Sequence, residues 1–264
     1  MCEVIVITSG KGGVGKTTIT ANLGAGLALL GKRVALIDTD IGLRNLDLVL
    51  GLENRIVYDL VNVVELSCRV KQALIKDKRF EGLFLLPAAQ NRDKSSVTIE
   101  QMVWLCDQIK PDFDYVLIDC PAGIEQGFKN AVAAADRAFV VTTPEVTAVR
   151  DADRVIGLLE AAGIFNYGLI LNRVRDDMVR HGDMLSTEDI VDILAVELFG
   201  LIPDDEEVVT STNRGIPMIR TGNCFAAQAF RNISRRVTGE QVPFMDLRQN
   251  GLVKKLKMLF NFSA

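Results

Sequence analysis

Histidine, tryptophan and paired cysteines are scarce in this sequence. It contains one histidine, His181, and one tryptophan, and none of its five cysteines forms a C-x-x-C pair. A structural zinc site needs about four Cys and His ligands at short spacings, and a Ser-His-Asp triad needs a positioned histidine. The sequence therefore predicts neither kind of site, and His181 is expected to be structural. The scattered cysteines are typical of reduced thiols in a cytosol-like compartment.

Long apolar runs, targeting signals and an excess of positive charge are also missing. No run approaches the roughly 18 to 20 apolar residues that span a bilayer, and the chain opens on a strand-like segment without the features of a signal peptide. We therefore expect a chain that starts soluble, in which any membrane contact is made by the polypeptide itself. The net charge of -4 and the pI near 5.2 disfavour a surface that coats nucleic acid, so nucleic acid is not an expected partner.

Strand-like apolar runs alternate with helical segments along the chain. This alternation predicts an α/β fold, a doubly wound and mostly parallel sheet with helices on both faces. Seven strands are predicted: Glu3–Thr8, Arg33–Asp38, Leu83–Pro87, Tyr115–Asp119, Ala138–Thr142, Tyr167–Leu171 and Leu198–Ile202. Five helices are predicted: Thr17–Leu30, Thr98–Ile109, Ala148–Ala162, Glu188–Ala195 and Ala226–Val237. We predict one domain over residues 1–239, a linker at 240–251 and a separate segment at 252–264.

A phosphate-binding motif follows the first predicted strand. Residues 10–17 satisfy the pattern G-x-x-x-x-G-K-S/T and open the first predicted helix. The glycines let backbone N–H groups turn toward phosphates, Lys16 supplies charge to the β and γ phosphates, and the Thr17 hydroxyl suits Mg²⁺. The motif therefore predicts ATP and Mg²⁺ as cofactors. The predicted nucleotide contacts here are Gly10, Lys11, Gly12, Gly13, Val14, Gly15, Lys16, Thr17 and Thr18.

Carboxylates end two predicted strands, at the sheet edge where α/β proteins bind ligands. Asp119 follows four apolar residues and fits the Walker B position, which holds Mg²⁺ directly or through water. Asp38 and Asp40 lie two residues apart at the end of the second strand, and both cannot be buried without partners. These positions predict an acidic edge beside the phosphate motif.

Lys11 is a second lysine that an ordinary Walker A loop does not require. With it, residues 9–18 resemble the deviant Walker A signature of the MinD/ParA superfamily of P-loop ATPases, which includes the nitrogenase iron protein. The resemblance implies that Lys11 reaches phosphates held by a second subunit, so that ATP binding produces a homodimer and Lys11 acts like an arginine finger in trans. A solvated loop lysine is the alternative.

The resemblance also assigns roles around the nucleotide. Asp40 matches the residue that orients or deprotonates the attacking water, Asp38 matches one near Mg²⁺, and residues 120–124 resemble switch II. An ordinary turn aspartate is the alternative for Asp40. The predicted catalytic residues are Lys11, Lys16 and Asp40, the metal site is Thr17, Asp38 and Asp119, and the contacts to the base are Asn172, Pro203 and Asp204.

Three further stretches, at 40–47, 121–125 and 148–154, resemble the septum-site-determining branch of this superfamily. That branch implies a MinC-like inhibitor and a MinE-like factor as partners, docked on a helix that borders the dimer groove. The candidate partner contacts are Arg150, Asp151, Asp153 and Arg154. A solvated charged face is the alternative for these residues.

The C-terminal segment has the pattern of an interfacial helix. At 100° per residue, one face carries the apolar side chains and the opposite face carries lysines. The predicted membrane contacts are Leu252, Val253, Lys254, Leu256, Lys257, Leu259 and Phe260. One short tail binds anionic lipid weakly, whereas two tails on an ATP dimer gain effective concentration. A terminal helix docked on the core is the alternative.

These features predict a peripheral protein on the inner face of the cell membrane, or in a plastid stroma at the inner envelope. Three other readings stay open. A ParA-like partition ATPase shares the ATP site and binds DNA, and an iron–sulfur ATPase needs cysteines at the dimer axis. A nucleotide-gated scaffold binds ATP and scarcely hydrolyses it.

Overall fold

The computed structural model describes residues 2–93 and 96–247. Its strands are β1 Glu3–Thr8, β2 Val34–Asp38, β3 Ile75–Lys76, β4 Leu83–Leu86, β5 Tyr115–Asp119, β6 Arg137–Thr142, β7 Tyr167–Val174 and β8 Leu198–Pro203. They form one sheet in the order β3-β4-β2-β5-β1-β6-β7-β8, antiparallel only between β3 and β4. The predicted doubly wound, mostly parallel sheet is confirmed. The eighth strand, β3, is not predicted by the sequence because two residues carry no periodic pattern.

Helices cover both faces of this sheet. They are α1 Lys16–Leu29, α2 Leu46–Val49, α3 Leu60–Val64, α4 Val70–Ala73, α5 Ile99–Ile109, α6 Gln126–Ala133, α7 Val146–Ala161, α8 Asp176–His181, α9 Thr187–Leu194, α10 Glu206–Asn213, α11 Met218–Thr221 and α12 Phe225–Val237. The five predicted helices correspond to α1, α5, α7, α9 and α12, with small shifts at their ends. Five of the other helices have 4 to 6 residues, too few turns to show a clear helical period, whereas α6 and α10 have 8 residues, like the predicted α9.

Both faces of the central strand are buried. Val4 and Val6 of β1 pack into the core on the α5 and α7 side, and Ile5 and Ile7 pack into the core on the α1 and α12 side. This is the pattern of a strand in a parallel sheet covered on both faces. Because β1 pairs with β5 and β6, the loop that follows β1 lies at the carboxyl ends of the strands, between the ends of β5 and β6.

Residues 240–247, the first part of the predicted linker, lie against the domain. Arg236 donates to the carbonyl oxygens of Val242 and Pro243 at 2.9 and 3.1 Å, and its guanidinium lies 4.2 Å from the centre of the Phe244 ring. Leu247 is buried. Residues 248–251 and the predicted membrane segment 252–264 lie outside the described residues. Within those, no helix has the length and apolar character needed to cross a membrane.

Candidate functional site

The predicted phosphate loop joins β1 to α1. Gly15 precedes α1 with a left-handed φ of 102°, a conformation that favours glycine. Lys16 is 7% exposed, and its Nζ donates to Ser9 Oγ at 2.8 Å. Ser9 Oγ in turn donates to the carbonyl oxygen of Lys11 at 2.7 Å. The Lys16 ammonium therefore lies within the loop, where the motif predicts a phosphate contact.

Gly10 and Gly12 set the loop between two neighbours. A Cβ on Gly10 would lie 2.4 Å from the carbonyl oxygen of Asp151, so the loop rests on the backbone of α7. A Cβ on Gly12 would lie 3.6 Å from Cβ of Ala122, an ordinary contact with the predicted switch II. The loop is therefore in direct contact with the helix that carries the candidate partner residues.

Gly10→Ala is expected to lower the free energy of unfolding by about 1 to 3 kcal/mol, because the added methyl overlaps a backbone carbonyl that cannot rotate away. Gly12→Ala is the matched control, since neither glycine has a left-handed φ and only Gly10 lacks space. Urea unfolding without nucleotide measures both variants. Equal stability of the two variants contradicts this account of the contact.

Lys11 lies at the rim of the loop and contacts the start of α7. Its Nζ lies 3.1 Å from Glu145 Oε2 and 3.3 Å from Thr147 Oγ1. The side chains of Lys11 and Glu145 are 42% and 56% exposed, so water screens their ion pair. In this single chain Lys11 therefore has partners of its own, held by a weak interaction.

The segment after β2 folds around the carboxylate of Asp38. Asp38 Oδ1 accepts from the backbone N of Asp40 at 2.9 Å, and Oδ2 accepts from the backbone N of Asn45 and of Leu46, both at 3.1 Å. The carbonyl oxygen of Asp40 accepts from the backbone N of Arg44 at 2.9 Å. Asp38 thus organises the turn that presents Asp40.

Asp119 lies next to Asp38 in the paired register of β5 and β2. It accepts from Thr20 Oγ1 at 3.2 Å, and the Thr17 hydroxyl and the Lys16 charge also lower its pKa. Burial outweighs these effects and raises the pKa of Asp119 to about 6. Burial and the charge of Asp119 raise the pKa of Asp38 to about 7. Two buried carboxylates at paired positions leave negative charge that a cation would offset.

The carboxylate oxygens of Asp38 and Asp119 suit Mg²⁺ better than they suit a metal whose ligands are all protein side chains. Mg²⁺ commonly takes one or two carboxylates and completes its shell with water and phosphate oxygens. The described part of the chain contains no group of three or more His, Cys, Asp or Glu side chains that could hold a metal ion. Asp119 and Thr17 fit direct or water-mediated contact with the ion, and Asp38, whose two oxygens accept backbone N–H groups, stays a predicted neighbour of the metal.

The paired carboxylates give an expected pH dependence. Their folded pKa values lie above 3.8, so the folded state holds protons that the unfolded state releases, and stability falls as pH rises from about 4 to about 7. We expect the metal-free protein to lose roughly 1 to 3 kcal/mol over this range through this pair. Urea unfolding at several pH values tests this, with Asp119→Asn as the control that flattens the slope. A variant as pH-dependent as the wild type contradicts the assignment.

Asn172 reaches the phosphate loop from β7. Its Nδ2 donates to the carbonyl oxygen of Val14 at 2.7 Å, and it is 9% exposed. The next residue, Arg173, has a left-handed φ of 57° where the β7–β8 register shifts. Pro203 is buried at the end of β8, and the backbone N of Asp204 donates to Val174. The structure brings these predicted base contacts to one edge, and their contact with a base stays a prediction.

The candidate partner residues share the exposed side of α7. Arg150, Asp153 and Arg154 are exposed and Asp151 is half-buried against the loop.

The sequence does not predict the contacts that Ser9, Thr20 and Glu145 make at this site. Ser9 and Thr20 could be identified from the sequence, because each lies within one helical turn of the phosphate-binding motif. No sequence signal identifies Glu145, which lies 134 residues from Lys11.

Comparisons with known proteins agree with this geometry. Residues 5–218 match the model of the CobQ/CobB/MinD/ParA nucleotide binding domain. The chain is 56% identical over 264 residues to the septum site-determining protein MinD of Bacillus subtilis, covering 98% of both chains. It is also similar to MinD in the MinC:MinD cell division protein complex of Aquifex aeolicus, with 53% identity, a TM-score of 0.87 and coverage of 92% of this chain and 99% of that one.

A third similar structure contains a nucleotide. It is the septum site-determining protein MinD of Pyrococcus horikoshii complexed with Mg-ADP, with 32% identity, a TM-score of 0.82 and coverage of 90% of this chain and 96% of that one. Sequence identities of 32 to 56% over at least 90% of this chain show a closer relationship than a shared fold. The chain belongs to the CobQ/CobB/MinD/ParA nucleotide-binding family and, within it, to the MinD group of septum site-determining proteins.

Proposed function

We propose that this chain is a Mg²⁺-dependent ATPase that dimerises with ATP and marks the division site from the membrane surface. The observation that carries the proposal is the contrast between the two lysines of the phosphate loop. Lys16 is enclosed by its own loop, whereas Lys11 lies at the exposed rim. This arrangement supports Lys16 as the ligand of phosphates bound in the same subunit and Lys11 as a ligand of phosphates bound in another.

The predicted hydrolytic roles fit the edge formed by β1, β2 and β5. Asp119 and Thr17 would hold Mg²⁺, with Asp38 close to it, and the ion supplies charge neutralisation to the phosphates when bound. Asp40 orients or deprotonates the attacking water from the turn that Asp38 organises. Asn172, Pro203 and Asp204 recognise the base at the neighbouring strand ends.

The partners are a MinC-like inhibitor and a MinE-like factor. The solved complex of MinC with the Aquifex aeolicus relative supports the first of these. The candidate surface is the exposed side of α7, at Arg150, Asp151, Asp153 and Arg154. Since the loop at Gly10 rests on α7, a partner bound there has a direct route to the nucleotide.

Membrane attachment is assigned to residues 252–264, the domain being residues 1–239 and the linker 240–251. Apolar residues with interleaved lysines suit an anionic surface, and the avidity of two tails makes binding depend on the ATP dimer. Hydrolysis separates the subunits and lowers this avidity. The protein therefore cycles between the cytoplasm and the inner face of the membrane, or between a plastid stroma and its inner envelope.

Sedimentation with anionic liposomes tests this proposal. We expect the full chain to pellet with ATP and Mg²⁺ and to stay in solution with ADP, and a chain ending at residue 251 to stay in solution with either nucleotide. The truncated chain should still dimerise with ATP, which separates loss of the tail from loss of the fold. Lipid binding by the truncated chain contradicts the role given to the tail, and competition by DNA for the ATP form favours the partition ATPase instead.

A further inference from the structure

Two loops that are distant in sequence cross on the α1 side of the sheet. Gly51 follows α2 and Gly215 follows α10, with left-handed φ values of 59° and 62°. A Cβ on Gly215 would lie 2.6 Å from Cα of Gly51, and a Cβ on Gly51 would lie 2.8 Å from the carbonyl oxygen of Gly215. The backbone conformation and the close approach both require glycine.

Arg79 fastens the two loops together. Its Nη1 donates to the carbonyl oxygen of Gly215 at 2.7 Å, and its Nη2 donates to the carbonyl oxygen of Leu50. Asp77, 1% exposed, accepts from Nε at 3.0 Å and from Nη2 at 2.7 Å. A planar guanidinium holds these three acceptors at once, whereas the single ammonium of a lysine lacks the fork.

Each crossing loop follows a helix, α2 or α10, whose first residues lie next to the candidate nucleotide site. The backbone N–H groups of Asn45 and Leu46, at the start of α2, bind Asp38 and close the turn that carries Asp40. α10 begins two residues after Asp204, on the predicted base side. The crossing therefore connects α2, which follows the turn that carries Asp40, to α10, which follows Asp204 on the predicted base side.

We propose that Arg79 is a positioning residue that couples occupancy of the base side to the turn carrying Asp40. The inference rests on the proposed function, in which a nucleotide binds between the β1 loop and the end of β8. A bound base restrains the segment leading into α10, the crossing transmits this restraint to α2, and the N–H groups of Asn45 and Leu46 stay on Asp38. Without the fork of Arg79, the two sides respond independently.

Amide hydrogen exchange of the full chain, with and without ADP and Mg²⁺, tests the coupling in wild type, Arg79→Lys and Arg236→Lys. Arg79→Lys keeps a positive charge beside Asp77 and loses the fork. Arg236→Lys is the matched control, because Arg236 also donates to backbone carbonyls, at Val242 and Pro243, away from the crossing. Peptides covering residues 10–16 report nucleotide binding, and peptides covering residues 43–50 report the turn.

In wild type and Arg236→Lys, ADP is expected to slow exchange in both peptides by about fivefold or more. In Arg79→Lys, residues 10–16 keep this protection, whereas the protection of residues 43–50 by ADP falls below about twofold. Equal protection of residues 43–50 in all three proteins overturns the coupling, and so does an equal loss in Arg236→Lys. If ADP fails to protect residues 10–16 in wild type, the proposed function itself fails and this inference fails with it.

Discussion

Lys11→Ala is expected to abolish ATP-dependent dimerisation and liposome binding while the monomer still binds ATP. Lys16 is enclosed within its own loop, and Lys11 lies at the rim of that loop. The Lys11→Ala variant therefore keeps the phosphate-binding groups of its own subunit and loses the group proposed to act in trans. Charged groups supplied in trans to a phosphoryl-transfer site contribute roughly 10³-fold or more to turnover. Analytical ultracentrifugation with ATP measures the dimer, and binding of a fluorescent nucleotide measures the retained affinity.

Glu145→Gln is the matched control for this prediction. It removes the carboxylate that pairs with Lys11 inside one chain and leaves Lys11 in place. An exposed pair of this kind contributes about 1 kcal/mol or less, so releasing Lys11 should cost little. We expect this variant to dimerise with ATP at least as well as the wild type. A Lys11→Ala protein that still dimerises with ATP contradicts the proposed role in trans, and so does a Glu145→Gln protein that stays monomeric.

The parts of the site that the sequence predicts are those whose determinants are local. The phosphate loop lies within residues 10–17, directly after a strand whose residues alternate between two buried faces. Asp119 and Asp38 are found because parallel strands end at the same edge, and β5 pairs with β2 in register at these two residues. Motif and periodicity are short-range signals, so a single sequence carries them.

The parts that the sequence does not predict depend on contacts between distant residues. The partner of Lys11 is 134 residues away, and Arg79 lies 136 residues from the carbonyl oxygen of Gly215. No period or motif relates such positions, because packing of the whole sheet brings them together. Asn172 illustrates the limit, since the family resemblance predicts that it contacts the base, while its contact with Val14 appears only in the folded chain.

Asp40→Asn is expected to lower ATP hydrolysis by about 100-fold or more while the ATP dimer and its liposome binding persist. An asparagine has nearly the same shape and cannot take a proton from water, so the turn is retained and the chemistry is lost. Turnover with liposomes present measures the first effect, and sedimentation at long times measures the second, since a dimer that does not hydrolyse ATP should stay bound. Release of this variant at the wild-type rate contradicts the proposed role of Asp40.

The neighbouring substitution Asp38→Asn distinguishes the two carboxylates. Asp38 accepts from three backbone N–H groups, and an asparagine offers an amide nitrogen in place of one acceptor oxygen. A donor facing donors should disrupt the turn, so the backbone amides of Asn45 and Leu46 are expected to exchange faster in Asp38→Asn than in Asp40→Asn. The free energy of unfolding should change less, because the substitution also removes the negative charge that lies beside Asp119. The two aspartates are therefore expected to differ in kind: loss of Asp38 affects the folding of the turn, and loss of Asp40 affects the proposed hydrolysis of ATP.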